Sequence, residues 1–241
     1  MSTTLREAWA TIVPDRRGPH GPLPPMRLAL TVVTGLVDAY SYLLLGHAFV
    51  ANMTGNVVFA GFAIAGAPDF VLAAALTALG AFVVGAFAAS ALARTAHGHR
   101  GLLLVRALAG ETLFVAAAYV VALLGGTADR YLLIVLLGIA MGTQNATART
   151  LAVPDLTTTV LTLTLTGVAA DTKWFGGAGS RLGRRLLSVV AMFVGGLVGA
   201  TAILHGLDSL PLLVTMVILA VVTAVAYLMS RTDQPWTQPK Q

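Results

Sequence analysis

Three stretches of this chain, Phe70 to Ala93, Leu186 to Leu204 and Ser209 to Ser230, contain no charged residue. About 20 apolar residues wound as a helix cross the roughly 30 Å hydrocarbon core of a bilayer. A soluble core has no use for several runs of that length. The remainder agrees: 57% of the residues are hydrophobic and 10% charged, against about 25% charged in soluble domains, and the mean hydropathy is +0.83. The chain reads as an all-α integral membrane protein, because a helix satisfies its own backbone polar groups where no water can.

Eight apolar segments follow one another, at about 26–45, 49–65, 70–93, 102–124, 131–146, 156–170, 186–204 and 211–229. Pro68-Asp69, Asp129, and Ser209 with Pro211 mark helix starts. Residues 1–25 hold Arg6, Arg16, Arg17 and GPHGPLPP. They read as a disordered cytoplasmic tail without a cleavable signal peptide. A single membrane domain over 26–230 divides into halves at 26–126 and 129–230, and 231–241 forms a C-terminal tail.

Two polar interruptions break the apolar pattern. The first is Gly35 to Val58 (GLVDAYSYLLLGHAFVANMTGNVV), the second Gly142 to Gly167 (GTQNATARTLAVPDLTTTVLTLTLTG). Were all eight segments to cross with the N-terminus inside, the basic loop Arg94–Arg106 would fall outside, against the positive-inside rule. If each polar pair makes one net crossing through a broken or re-entrant element, the tails and both basic loops lie inside. Six net passes fit the charges better. The sequence leaves open whether 47–66 and 154–171 cross fully or re-enter.

The halves also match weakly. Gly35 aligns with Gly142, Asp38 with Asn145 and, after one residue of slippage, Thr54 with Thr162. Three crossings per half would set the halves in opposite orientations, an inverted 3+3 repeat. Interrupted helices at matching places in inverted repeats point to a transporter site near the midplane.

The blocks GLVDAYSYLLLGHAFVANMTGN, GTQNATAR and TTTVLTLTLTG resemble the YoaK-like bacterial integral membrane proteins, a family without an assigned function. The resemblance covers about 26–229. It implies a bacterial inner-membrane protein of about six helices and adds no substrate.

Candidate substrate- or ion-binding residues lie at the interruptions: Asp38, Tyr42, Asn52, Thr54, Asn56, Gln144, Asn145, Arg149, Thr158 and Thr162. Asp38, and Glu111 in the middle of the fourth segment, are candidates for proton coupling, since ionisable groups at membrane depth are costly and tend to be functional. Each has a plainer reading. Asp38 could cap a helix break or pair with Arg149; Arg149 could snorkel to the interface; Glu111 could pair with Arg106 or Arg94; and Asn and Thr can simply join helices. Ala81, Gly85, Ala89 and Ala93, with Gly195 and Gly199, form small-residue faces for packing within the protein or in a homo-oligomer.

No cysteine is present, which removes disulfides and thiolate chemistry. No nucleophile, metal or phosphate-loop motif occurs, so neither an enzyme nor a cofactor is expected. The net charge of +5 sits in tails and loops and does not point to nucleic acid. The expected partners are the lipid bilayer and a small solute, with H+ or Na+. The leading expectation is a small secondary transporter alternating its access around the two interruptions. A passive pore and a non-transporting structural or partner-binding protein are the alternatives.

Overall fold

The computed structural model describes residues 3–15, 18, 20–125, 129–151, 182–232 and 234–238. The second interruption beyond Leu151, with Thr158 and Thr162, lies outside the described residues. Among those described there are eight α-helices and no strand. They are α1 (Thr3–Ile12), α2 (Leu23–Leu44), α3 (Met53–Ile64), α4 (Leu72–Thr95), α5 (Arg100–Gly125), α6 (Arg130–Leu151), α7 (Leu182–Leu204) and α8 (Leu210–Ser230). A 3-10 turn follows at Pro235–Thr237. All but α1 and α3 are long and apolar enough to span a membrane, giving six candidate spans.

The N-terminal segment departs from expectation. Its Pro and Gly residues are confined to the stretch after Val13, leaving TTLREAWATI free to wind as α1. Helix α2 begins at Leu23 and takes Pro24 and Pro25 into its first turn, where a missing N–H costs nothing.

One end of the bundle collects most of the connections. Gly183 at the start of α7 lies against Thr4 and Ala8 of α1, and Gly101 of α5 against Ser230 and Thr237. Arg100 donates from Nη2 to the Leu151 carbonyl, 2.7 Å away, joining the start of α5 to the end of α6. At the same end His99 accepts the Leu102 N–H at Nδ1, 2.9 Å away, and so caps α5.

The outer faces carry large apolar side chains such as Phe87, Leu113, Phe193 and Leu228. The interior mixes Leu, Val and Ile with Ala, Gly and polar groups. That is the distribution a hydrocarbon solvent favours: lipid tails solvate Leu and Phe well, while close helix approach and hydrogen bonds hold the bundle. The most extensive helix pairs are α4 with α6 and α2 with α7, followed by α5 with α8 and α5 with α6.

Glycine permits the first two. A Cβ on Gly142 would lie 2.0 Å from the Phe82 carbonyl oxygen, and one on Gly85 2.1 Å from that of Ile139. The α2–α7 pair repeats the device: a Cβ on Gly35 would meet the Met192 carbonyl oxygen, and one on Gly195 that of Val32. These obstacles are backbone atoms, which cannot rotate away as a side chain could. Gly142→Ala or Gly195→Ala should therefore force helices apart and cost about 1–3 kcal/mol, read as a lower thermal midpoint in detergent. Gly80→Ala, with nothing within 4 Å of its added methyl, should leave the midpoint unchanged or raise it.

Candidate functional site

Helix α2 ends in a left-handed turn, with φ of +91° at Gly46 and +56° at His47. The chain then doubles back. Six residues separate Asp38 from Leu44, about 9 Å along the axis, yet Asp38 Oδ1 accepts the backbone N–H groups of Val50 at 3.1 Å and Ala51 at 2.9 Å. Residues 45–52 thus dip back beside α2, and α3 climbs out again. The excursion closes where it began, with His47 Nδ1 2.8 Å from the Asp69 carbonyl oxygen. At 12 residues, α3 is about 18 Å long and too short to cross. The first polar interruption doubles back beside α2 and adds no helix of spanning length.

Its polar residues hold its own backbone. Asn56, fully buried, accepts the Phe49 N–H at Oδ1 (2.9 Å) and donates from Nδ2 to the Phe49 carbonyl (2.5 Å), pairing with that peptide as a strand neighbour would. Asn52 precedes α3 without a side-chain cap, and Thr54 is exposed. Tyr42 stacks on Phe49 with ring centroids 4.9 Å apart, opening an aromatic cluster that continues through Phe59 to Phe62 and Phe70. The second carboxylate oxygen of Asp38 is buried with no hydrogen-bond partner among the described residues.

Asp38 also ends a buried polar stripe on α2. Arg27, Thr31, Thr34 and Asp38, spaced four, three and four residues apart, fall on one helical face and are all buried. Thr31 and Thr34 donate to carbonyls one turn back, those of Arg27 (2.8 Å) and Leu30 (2.9 Å), keeping their lone pairs for other donors. Gln144 of α6 uses one, its Nε2 donating to Thr34 Oγ1 at 2.8 Å. Arg27 donates from Nη2 to the Ala148 carbonyl of α6 at 2.6 Å.

Between this stripe and α5 lies a cavity of about 20 Å³ lined by Arg27, Glu111, Gln144 and Thr147, with Leu and Ala around them. Glu111, Gln144 and Thr147 are only 1%, 2% and 5% exposed. Glu111 Oε1, Gln144 Oε1 and Thr147 Oγ1 are buried there without hydrogen-bond partners among the described residues. A larger hollow of about 470 Å³ opens beside Tyr40, Leu44 and Asp208. Tyr40 stands two residues from Asp38 and faces away from it on the helix.

The structure therefore brings Gln144 and Glu111 together with two residues that the sequence reading passed over, Arg27 and Thr147. The signal for Arg27 was available: it starts the four-three-four stripe that ends at Asp38. Nothing local marked Thr147 among the many threonines. Two of the ion pairs offered as plainer readings, Glu111 with Arg106 and Asp38 with Arg149, do not form. Arg106 is exposed and donates to Thr95 Oγ1 at 3.3 Å instead of meeting Glu111. Arg149 is exposed at the far end of α6 and does not meet Asp38, whose Oδ1 holds amides. Asn145 donates to the Met141 carbonyl of its own helix at 2.9 Å.

Residues 26–225 match the family model described as a protein of unknown function, DUF1275. The chain is also similar to the UPF0700 transmembrane protein YoaK of Bacillus subtilis (strain 168), 34% identical over 143 residues. That match covers 59% of this chain and 64% of the relative, so the chain spans a little under two thirds of the length of the relative it matches. No solved structure matches.

Replacing Asp38 separates its shape from its charge. Asp38→Ala strands two buried amides, each costing about 1–3 kcal/mol, and should lower the detergent thermal midpoint markedly. Asp38→Asn keeps an acceptor oxygen at Oδ1 and should stay near the parent. Asn56→Leu, which frees both polar groups of Phe49, should resemble Asp38→Ala.

Proposed function

Starting from the fact that this chain belongs to the DUF1275 family, whose description assigns no activity, we propose that it is a small secondary transporter of a small solute. Access would alternate around the re-entrant element and its counterpart in the second half. The observation that carries this reading is the excursion 45–64, an interrupted backbone element at membrane depth held by the buried Asp38. Irregular backbone is tolerated there only against protein or a wet path.

The helix pairing supports an inverted repeat. Exchanging the halves sends α2 to α6, α4 to α7 and α5 to α8. The α2–α7 pair then becomes α6–α4, the α2–α8 pair becomes α6–α5, and α5–α8 maps onto itself. The glycine contacts obey the same exchange: Gly35 faces Met192, three residues before Gly195, and Gly142 faces Phe82, three before Gly85, while Gly195 and Gly85 face Val32 and Ile139, three before Gly35 and Gly142. Two halves that grip each other through equivalent surfaces can rock about a central site without new contacts being invented for each state. Charge supports the orientation: Arg94, Arg100, Arg184 and Arg231 lie at the end that carries both terminal segments, while Asp69, Asp129 and Asp208 lie at the other. The positive-inside rule then sets both termini in the cytoplasm and, with the bacterial relative, the protein in the plasma membrane. Asp38 and Glu111 are the candidate proton-coupling groups of this carrier.

One observation favours a purely structural role for the interruption. Among the described residues Asp38 Oδ1 bonds only backbone N–H groups of the excursion, and Asn56 only the Phe49 peptide and the Met53 sulfur of the same excursion. The two readings part on motion. Because the chain has no cysteine, Ala51→Cys gives a single label site beside Asp38. A carrier should let a membrane-impermeant maleimide reach it in right-side-out and in inside-out vesicles, at rates that a transported solute alters. A static bundle protects it from at least one side whatever solute is supplied. With a solute found by uptake screening, Asp38→Asn should abolish proton-coupled accumulation while the protein stays folded; unchanged accumulation removes Asp38 from the coupling.

A further inference from the structure

We propose that the cavity enclosed by α2, α5 and α6 is a proton-binding site, holding one water molecule and one exchangeable proton on the carboxyl of Glu111. The proposal rests on the cavity and does not require that the protein transport anything.

Volume comes first. A space of about 20 Å³ exceeds the roughly 10–15 Å³ that one water needs, and a buried water wants two to four polar partners. Three are present and otherwise unmet among the described residues: Glu111 Oε1, Gln144 Oε1 and Thr147 Oγ1. The Gln144 amide is turned by its bond to Thr34, so its nitrogen faces α2 and its oxygen is left for another donor. No second shell of water fits.

Chemistry then chooses the ligand. Glu111 stands 11 residues into α5, roughly 16 Å from the helix start and near the middle of a bilayer. Its cavity neighbours on α5 are Leu104, Ala107 and Leu108. Among the described residues no donor reaches Glu111 Oε1, and one water cannot replace the hydration shell of an anion. A proton makes the group neutral and gives it the donor that Gln144 Oε1 lacks, directly or through the water.

Among the described residues, Arg27 is the one charged group besides Glu111 that lines the cavity; α6 brings Gln144, Thr147, Ala148 and Leu151. Neither α4 nor α8, which also pack on α5, contributes a titratable side chain to its wall. The guanidinium disfavours a metal cation in the same space. It also makes the proton exchangeable. When the Glu111 O–H bond breaks and the proton passes to the water and outward, the carboxylate left behind has a cation on the same wall.

Infrared spectroscopy of the full chain in lipid at neutral pH reads this directly. The carbonyl stretch of a protonated carboxylic acid should be present, should shift on transfer from H2O to D2O, and should vanish in Glu111→Gln while persisting in Asp38→Asn. Thr147→Val, which removes a partner without touching the acid, should move the band to higher frequency. Glu111→Asp serves as a second variant should Glu111→Gln fail to fold, and should displace the band without abolishing it. A band that survives in Glu111→Gln, or one insensitive to D2O and to Thr147→Val, would overturn the proposal. So would loss of the band on adding NaCl at fixed pH, which would make the cavity a metal-cation site. The outcome is separate from the cysteine-labelling result: a static bundle can keep the band, and a working carrier can lack it.

Discussion

Two backbone amides, those of Val50 and Ala51, must find acceptors at a depth where the surroundings offer no water, and one carboxylate oxygen of Asp38 serves both. An unmet N–H in hydrocarbon costs several kcal/mol, so the excursion exists only because α2 presents an acceptor six residues before its end. Asn56 does the same for the peptide of Phe49 from the other side. Together they turn a stretch that could neither cross nor leave the bilayer into a folded element. Its aromatic cover through Tyr42, Phe49 and Phe59 shields those bonds from lipid.

The rest of the bundle positions this element by close approach. Hydrophobic burial gives little reason for two helices to associate in lipid, so contact between backbones must supply it. Gly35 against Gly195, Gly142 against Phe82 and Gly85 against Ile139 allow that contact, fixing the rotation of α2 and of α6 about their axes. Those rotations turn the Arg27–Asp38 stripe and the Gln144–Thr147 pair toward one another, with Glu111 of α5 closing the third side. The glycines and the buried polar groups are thus one arrangement: small residues bring the helices near, and the polar stripe occupies the seam that results.

Much of this was legible beforehand. The candidate spans and a polar interruption within Gly35 to Val58 follow from residue type and order, because hydropathy and backbone breaks are local properties. What escaped was relational. Glu111 was expected beside Arg106, its neighbour in sequence, but five residues along a helix point Arg106 to the exposed surface at Thr95. Arg149 carries a charge in a polar tract, yet the end of α6 leaves it exposed. The N-terminal tail seemed uniformly rich in Pro and Gly, whereas its first ten described residues contain neither and form α1.

By itself, the sequence determined that this protein lives in a membrane and that a polar stretch interrupts its apolar helices; among the described residues six of these are candidate spans. Long charge-free runs and costly polar residues admit few alternatives in hydrocarbon. Only the tertiary structure decided that Arg27, Glu111, Gln144 and Thr147, drawn from three helices and separated by up to 120 positions, share one water-sized cavity. Which face each helix turns inward depends on where its glycines let a neighbour approach, and that is a property of pairs of helices, not of any one stretch of chain.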